Sequence, residues 1–67
     1  MIALKEYRLK ALLTQEELAE KLGVTDGAIA MWETGKRKPN IIMLKKLAVL
    51  FQCTTDDLLK DIKIEEG

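Results

Sequence analysis

The side chains that can do chemistry in this chain are cations and amide donors rather than nucleophiles or metal ligands. Between Lys36 and Lys46 stand five basic residues (Lys36, Arg37, Lys38, Lys45 and Lys46) and no acid. Histidine is absent and Cys53 is the only cysteine. That leaves no ligand cluster for a metal, no cofactor motif, no histidine base for a nucleophile and no intramolecular disulfide. A lone cysteine beside Phe51 is expected to pack. The chemistry on offer is the binding of anions. Formal net charge is +0, but a phosphate backbone meets the local field, and that field is uneven. Asp56 to Gly67 holds five acids against two lysines. No enzyme is expected.

These groups need elements to hold them, and the stretch from Thr14 to Asn40 spells those elements out. Thr14 and Glu17 have capping-box spacing, so each can satisfy a free amide of the other. Leu18, Ala19 and Leu22 follow at helical spacing, and Gly23 supplies the left-handed residue that ends the helix. Thr25 restarts a helix whose inward face is Ala28, Ile29 and Trp32, and Gly35 stops it. Two short amphipathic helices joined by a tight glycine turn and followed by a basic loop have the layout of a helix-turn-helix, whose second helix enters the major groove of DNA.

The same words resemble the phage repressor and Cro type of helix-turn-helix domain. They are Thr14-Gln15-Glu16-Glu17-Leu18-Ala19, Leu22-Gly23-Val24-Thr25, Ile29, Trp32-Glu33 with Gly35, and Lys36-Arg37-Lys38-Pro39. Leu44-Lys45-Lys46-Leu47-Ala48 and Asp56-Asp57-Leu58-Leu59 extend the likeness over roughly Leu4 to Leu59. The resemblance implies a glutamine, here Gln15, set against the DNA backbone at a helix N-terminus, where free amides also favour phosphate. It implies base reading from the positions of Asp26, Gly27 and Met31, and an ion pair between Glu33 and an arginine of the first helix, which falls on Arg8.

One departure stands out. The family often carries Gln, Arg, Ser or Lys at its reading positions, whereas this outward face is Thr25, Asp26, Gly27, Ala30 and Met31. Asp26 can accept from cytosine N4 or simply favour the helix dipole; Met31, Ala28 and Ala30 can touch only thymine methyls. Backbone binding is expected, with weak base discrimination. Lys36, Arg37 and Lys38 are the expected phosphate ligands, joined by amides at the Asn40 helix start. Arg37 or Lys38 can also reach toward a minor groove. Leu12 and Gln52 stand where the family usually ends a helix with glycine, so each either adopts a left-handed conformation or prolongs its helix.

The whole chain reads as an all-α, compact five-helix bundle: about Ile2 to Ala11, Gln15 to Leu22, Asp26 to Thr34, Ile41 to Phe51 with Asn40 as N-cap, and a short fifth helix through Leu58 and Leu59. Leu4, Arg8 and Leu12 are expected to face inward from the first helix, and Leu44, Leu47, Ala48 and Phe51 from the fourth. The expected core is Leu4, Leu13, Leu18, Leu22, Val24, Ile29, Trp32, Leu44, Leu47, Phe51, Leu58 and Leu59. Thr54 and Asp57 repeat the capping-box pattern.

With 67 residues, 48% hydrophobic and 33% charged, the chain suits one small globular domain, residues 1–60, with a short acidic tail, 61–67. Ile62 and Ile64 alternate there in a strand-like way. No apolar run is long enough for a membrane span and the first residues lack a secretory pattern, so a cytoplasmic location is expected. The reading is a regulator of transcription on double-stranded DNA. A repressor acting by operator occupancy is expected, with no small-molecule ligand evident. One module has a small footprint, so a homodimer is expected on half-sites roughly 34 Å apart, with the Gln52–Thr55 turn, helix five and the Ile62/Ile64 tail as candidate contacts. The competing reading is an antitoxin-like or adaptor module whose acidic tail engages a protein partner.

Overall fold

The structure, a computed structural model, describes residues 1–60; the strand-like alternation of Ile62 and Ile64 and the acidic tail lie outside the described residues. Five helices and no strand occur among the described residues: α1 (Ile2–Lys10), α2 (Gln15–Leu22), α3 (Asp26–Thr34), α4 (Ile41–Phe51) and α5 (Thr55–Leu58).

Side-chain caps set the starts of the last four. Thr14 Oγ1 accepts the Glu17 amide at 3.0 Å while Glu17 Oε1 accepts the Thr14 amide at 3.0 Å. Thr54 and Asp57 repeat the arrangement at 3.0 and 3.1 Å. Thr25 Oγ1 accepts the Ala28 amide at 3.2 Å, and Asn40 Oδ1 the Met43 amide at 2.9 Å. Each bond satisfies an amide with no partner inside its own helix; losing such a cap costs about 1 kcal/mol.

The helix ends are equally local. The chain turns left-handed at Leu12 (φ 58), Gly23 (φ 72), Gly35 (φ 82) and Gln52 (φ 53). After three of these turns the next amide reaches back five residues: Leu13 to Arg8, Val24 to Ala19 and Cys53 to Ala48, at 3.1, 3.0 and 2.9 Å. Those bonds close α1, α2 and α4. Leu12 and Gln52 therefore adopt the left-handed conformation rather than prolong their helices.

Leu4, Leu18, Ile29, Leu47 and Leu58 are completely buried, one from each helix. Trp32, Leu22 and Leu44 complete their packing, with Leu13, Val24, Phe51 and Leu59 half-buried around them. Burial of each large side chain stabilises by about 1.5–3 kcal/mol, so Leu47→Ala, at the middle of α4, should cost about 2–5 kcal/mol.

Two details differ from the sequence expectation. Leu12 does not face inward: it is 89% exposed, because α1 stops at Lys10 and the left-handed turn swings Leu12 outward. Met1 and Tyr7 join the core instead. The Tyr7 ring stacks on Phe51 at 5.7 Å, and the Met1 ammonium donates to the Trp32 carbonyl at 3.1 Å, at the negative end of α3.

Candidate nucleic-acid interface

A buried ion pair fixes α3 relative to α1. Arg8 Nε donates to Glu33 Oε2 at 2.6 Å and Nη2 to Oε1 at 3.2 Å. Nη1 is spent on the Leu13 carbonyl at 2.8 Å. The two side chains are 9% and 3% exposed. A charge pair this deep survives only when its remaining donors and acceptors are met, and among the described residues no buried side-chain polar atom lacks a partner. The pair implied by the family resemblance is thus formed.

Gln15 joins the same network, a contact that sequence reasoning missed. Its Nε2 donates to Glu33 Oε1 at 3.0 Å. Because a carboxylate only accepts, the amide nitrogen must face Glu33, which leaves one N–H and the amide oxygen of Gln15 outward. Gln15 is half-buried at the first position of α2 and shares a shallow depression with Thr14, Glu16 and Asp26, the last at the first position of α3. Two helix starts are brought together there. Their free amides attract phosphate, while the carboxylates of Glu16 and Asp26 oppose it.

Thr25, Asp26 and Gly27 are exposed and Ala30 and Met31 half-buried. Gly27, Ala30 and Met31 lie three and four positions apart on one helix, so they share a face. Two hydroxyls flank that face, one with its proton spent and one acting as an acceptor that keeps its O–H. Thr34 Oγ1 donates back to the Ala30 and Met31 carbonyls at 3.1 and 3.3 Å, and Thr25 Oγ1 is the helix cap.

The basic loop follows α3 directly. Lys36, Arg37 and Lys38 are exposed and pair with no carboxylate among the described residues. The Arg37 amide donates to the Met31 carbonyl at 3.3 Å, and buried Pro39 anchors the far end. Asn40 is exposed, but its side-chain oxygen is used as the α4 cap. The basic stretch read in the sequence divides here. Lys45 and Lys46 line, with Lys21, an open groove of about 550 Å³ floored by Leu22, Ile42, Val49 and Leu50. Ile42 and Val49 are 61% and 79% exposed. The signal for this surface was present in the surplus apolar residues of α4 that fall outside its inward stripe.

Cys53 is half-buried, and burial pushes its thiol above the ordinary range, away from the reactive thiolate. Burial, with Cys53 beside it, likewise raises the Tyr7 phenol. Among the described residues no group of three metal-ligating side chains converges, and no helix is long and apolar enough to cross a membrane.

Comparison with known proteins extends the same pattern beyond this chain. A helix-turn-helix family model matches residues 4–58. The chain is 46% identical over 56 residues to the HTH-type transcriptional activator BcrR of Enterococcus faecalis, covering 84% of this chain and 28% of that protein. It is 43% identical over 56 residues to the HTH-type transcriptional regulator ImmR of Bacillus subtilis, covering 84% of this chain and 44% of that one. Against an uncharacterized HTH-type transcriptional regulator of Archaeoglobus fulgidus it is 40% identical over 55 residues, covering 82% and 79%. The chain thus spans less than half of the first two relatives and most of the third. No solved structure matches. The family match runs from Leu4 in α1 to Leu58 in α5 and takes in the α2–turn–α3 unit with its caps and glycines, so the chain belongs to the Cro/C1-type helix-turn-helix family of DNA-binding transcriptional regulators.

Proposed function

We propose that this chain docks α3 in the major groove of duplex DNA and acts as a repressor by occupying its site, as a homodimer on half-sites roughly 34 Å apart. The observation that carries this reading is the trio Lys36, Arg37 and Lys38, exposed, without carboxylate partners and tied to the end of α3 through the Arg37 amide. In the docked arrangement these cations and the outward N–H of Gln15 hold phosphates, while Asn40 adds the free amides of the α4 start. Phosphate contacts set register and affinity; Thr25, Asp26, Gly27, Ala30 and Met31 supply a modest sequence preference. The name of the Enterococcus relative makes that protein an activator, so the sign of regulation needs its own test.

Retention of the protein on random duplexes in a mobility shift, followed by selection of the bound fraction, tests the reading. Enriched sites with paired half-sites support it; absence of retention at low salt sinks it. A reporter carrying the selected site over its promoter then reads repression or activation. The second reading, a protein-interaction module, draws its support from the apolar groove edged by Lys21, Lys45 and Lys46. A chain that ignores duplex DNA yet dimerises or captures a partner through that groove would favour it.

A further inference from the structure

Gly27 has no reason to be glycine within the free domain. It is the second residue of α3 and exposed, and positive φ among the described glycines occurs only at Gly23 and Gly35. A Cβ placed on it would meet nothing nearer than Thr25 Oγ1 at 3.9 Å, so packing does not exclude a side chain. Glycine in a helix is less stable than alanine, because it gives up more backbone freedom on folding. Every local criterion favours alanine at this position.

The surroundings indicate what the missing side chain accommodates. Ala30 and Met31 share the face of Gly27; Thr34 spends its O–H on α3 carbonyls, and Thr25 Oγ1 is held at the helix start as acceptor of the Ala28 amide. The Gly27, Ala30 and Met31 positions are apolar and lack a side chain at Gly27, with the Asp26 carboxylate and the Thr25 hydroxyl at their edge. Among the groups that bases present in the major groove, the C5-methyl of a pyrimidine is the apolar one. The methyl that alanine would carry and the methyl that the base offers are the same size. Resting on the DNA-binding reading above, we propose that Gly27 is a specificity-determining residue, whose recess on α3 receives the C5-methyl of a pyrimidine, whether thymine or 5-methylcytosine.

The test uses the duplex that the unaltered protein selects from a random pool, with each thymine replaced in turn by deoxyuridine and each cytosine by 5-methylcytosine. At the critical position the unaltered protein should lose about fourfold in affinity when a thymine methyl is removed, or gain about as much when a cytosine methyl is added. The first result assigns thymine and the second 5-methylcytosine. Gly27→Ala should bind the methyl-bearing duplex at least tenfold more weakly and recover part of that loss on the methyl-free one, while its free-domain melting temperature stays equal or rises. Indifference of the unaltered protein to every methyl overturns the proposal. So does equal binding by Gly27→Ala, or a lower melting temperature for that variant. If Lys36→Ala weakens binding while Gly27→Ala does not, the DNA reading stands and this proposal falls. If the unaltered protein retains no duplex at all, both fall.

Discussion

Glu33 accepts three hydrogen bonds on one carboxylate: two from Arg8, which link α1 to the end of α3, and one from the amide of Gln15. Removing it strands the Arg8 cation in a site where its side chain is 9% exposed. Glu33→Ala should therefore cost about 3–5 kcal/mol, a large share of the stability of so small a domain, and urea melts should show a sharply lower midpoint. A midpoint within error of the unaltered protein would mean that the charge finds water once its partner is gone. Replacing both partners with apolar residues should recover much of the loss, since the pair itself carries a desolvation cost. The pairing of Arg8 with Glu33 was legible through the family words. The bond from Gln15 was not, because it joins residues 18 apart in sequence across a helix contact that no local pattern encodes.

At the scale of elements, the starts of α2, α3 and α4 fall where the sequence places them, because a Thr or Asn cap and the amide it serves lie within three residues of each other. Local signals fail where tertiary contacts decide. Met1 and Tyr7 are core residues because α1 lies against α3 and α5, and Leu12 leaves the core because a turn redirects it. That turn offers a direct measurement. Leu12 holds φ 58 while almost wholly exposed, so Leu12→Gly relieves backbone strain and forfeits little burial. It should stabilise by about 1 kcal/mol, read as a melting temperature higher by roughly 4–8 °C. No rise would place the strain elsewhere.

The capping boxes have a signature in pH. The Thr14 backbone amide, then its hydroxyl, hold the Glu17 carboxyl below its usual 4.5, and Thr54 does the same to Asp57 below 3.8. The folded state therefore binds fewer protons than the unfolded one. The stabilisation is complete above those ordinary values and is lost as pH falls through the lowered ones. Stability should be insensitive to these two groups from pH 5 to 7 and decline below about pH 4. Glu17→Gln keeps an acceptor for the Thr14 amide but cannot titrate, so its acid limb should be shallower in urea melts taken down to pH 2.5. An unchanged limb would remove Glu17 from the account.

For the whole molecule, a formal net charge of +0 means that attraction to DNA depends on where the cations sit. Each phosphate contact contributes a slope of about −0.9 in log affinity against log salt. Lys36→Ala and Lys38→Ala should each weaken binding on every sequence and flatten that slope by roughly one unit. Unchanged slopes in both would move the interface away from the loop after α3. The division of the basic stretch into a loop cluster and a groove-lining pair could not be read from charge along the chain, because only the seating of α4 on α2 sends Lys45 and Lys46 to a different surface.

That groove also bears on solubility. Ile42 and Val49 lie open in a chain with no overall charge to keep copies apart, so colloidal repulsion at the groove falls to Lys21, Lys45 and Lys46 around it. Such repulsion works over about 10 Å at 0.1 M salt and about 3 Å at 1 M. Raising salt should therefore do two things at once: loosen the protein from phosphate and let the apolar grooves of separate copies meet. Light scattering on concentrated samples across a salt series should show self-association appearing as duplex binding fades, and Val49→Lys should suppress it.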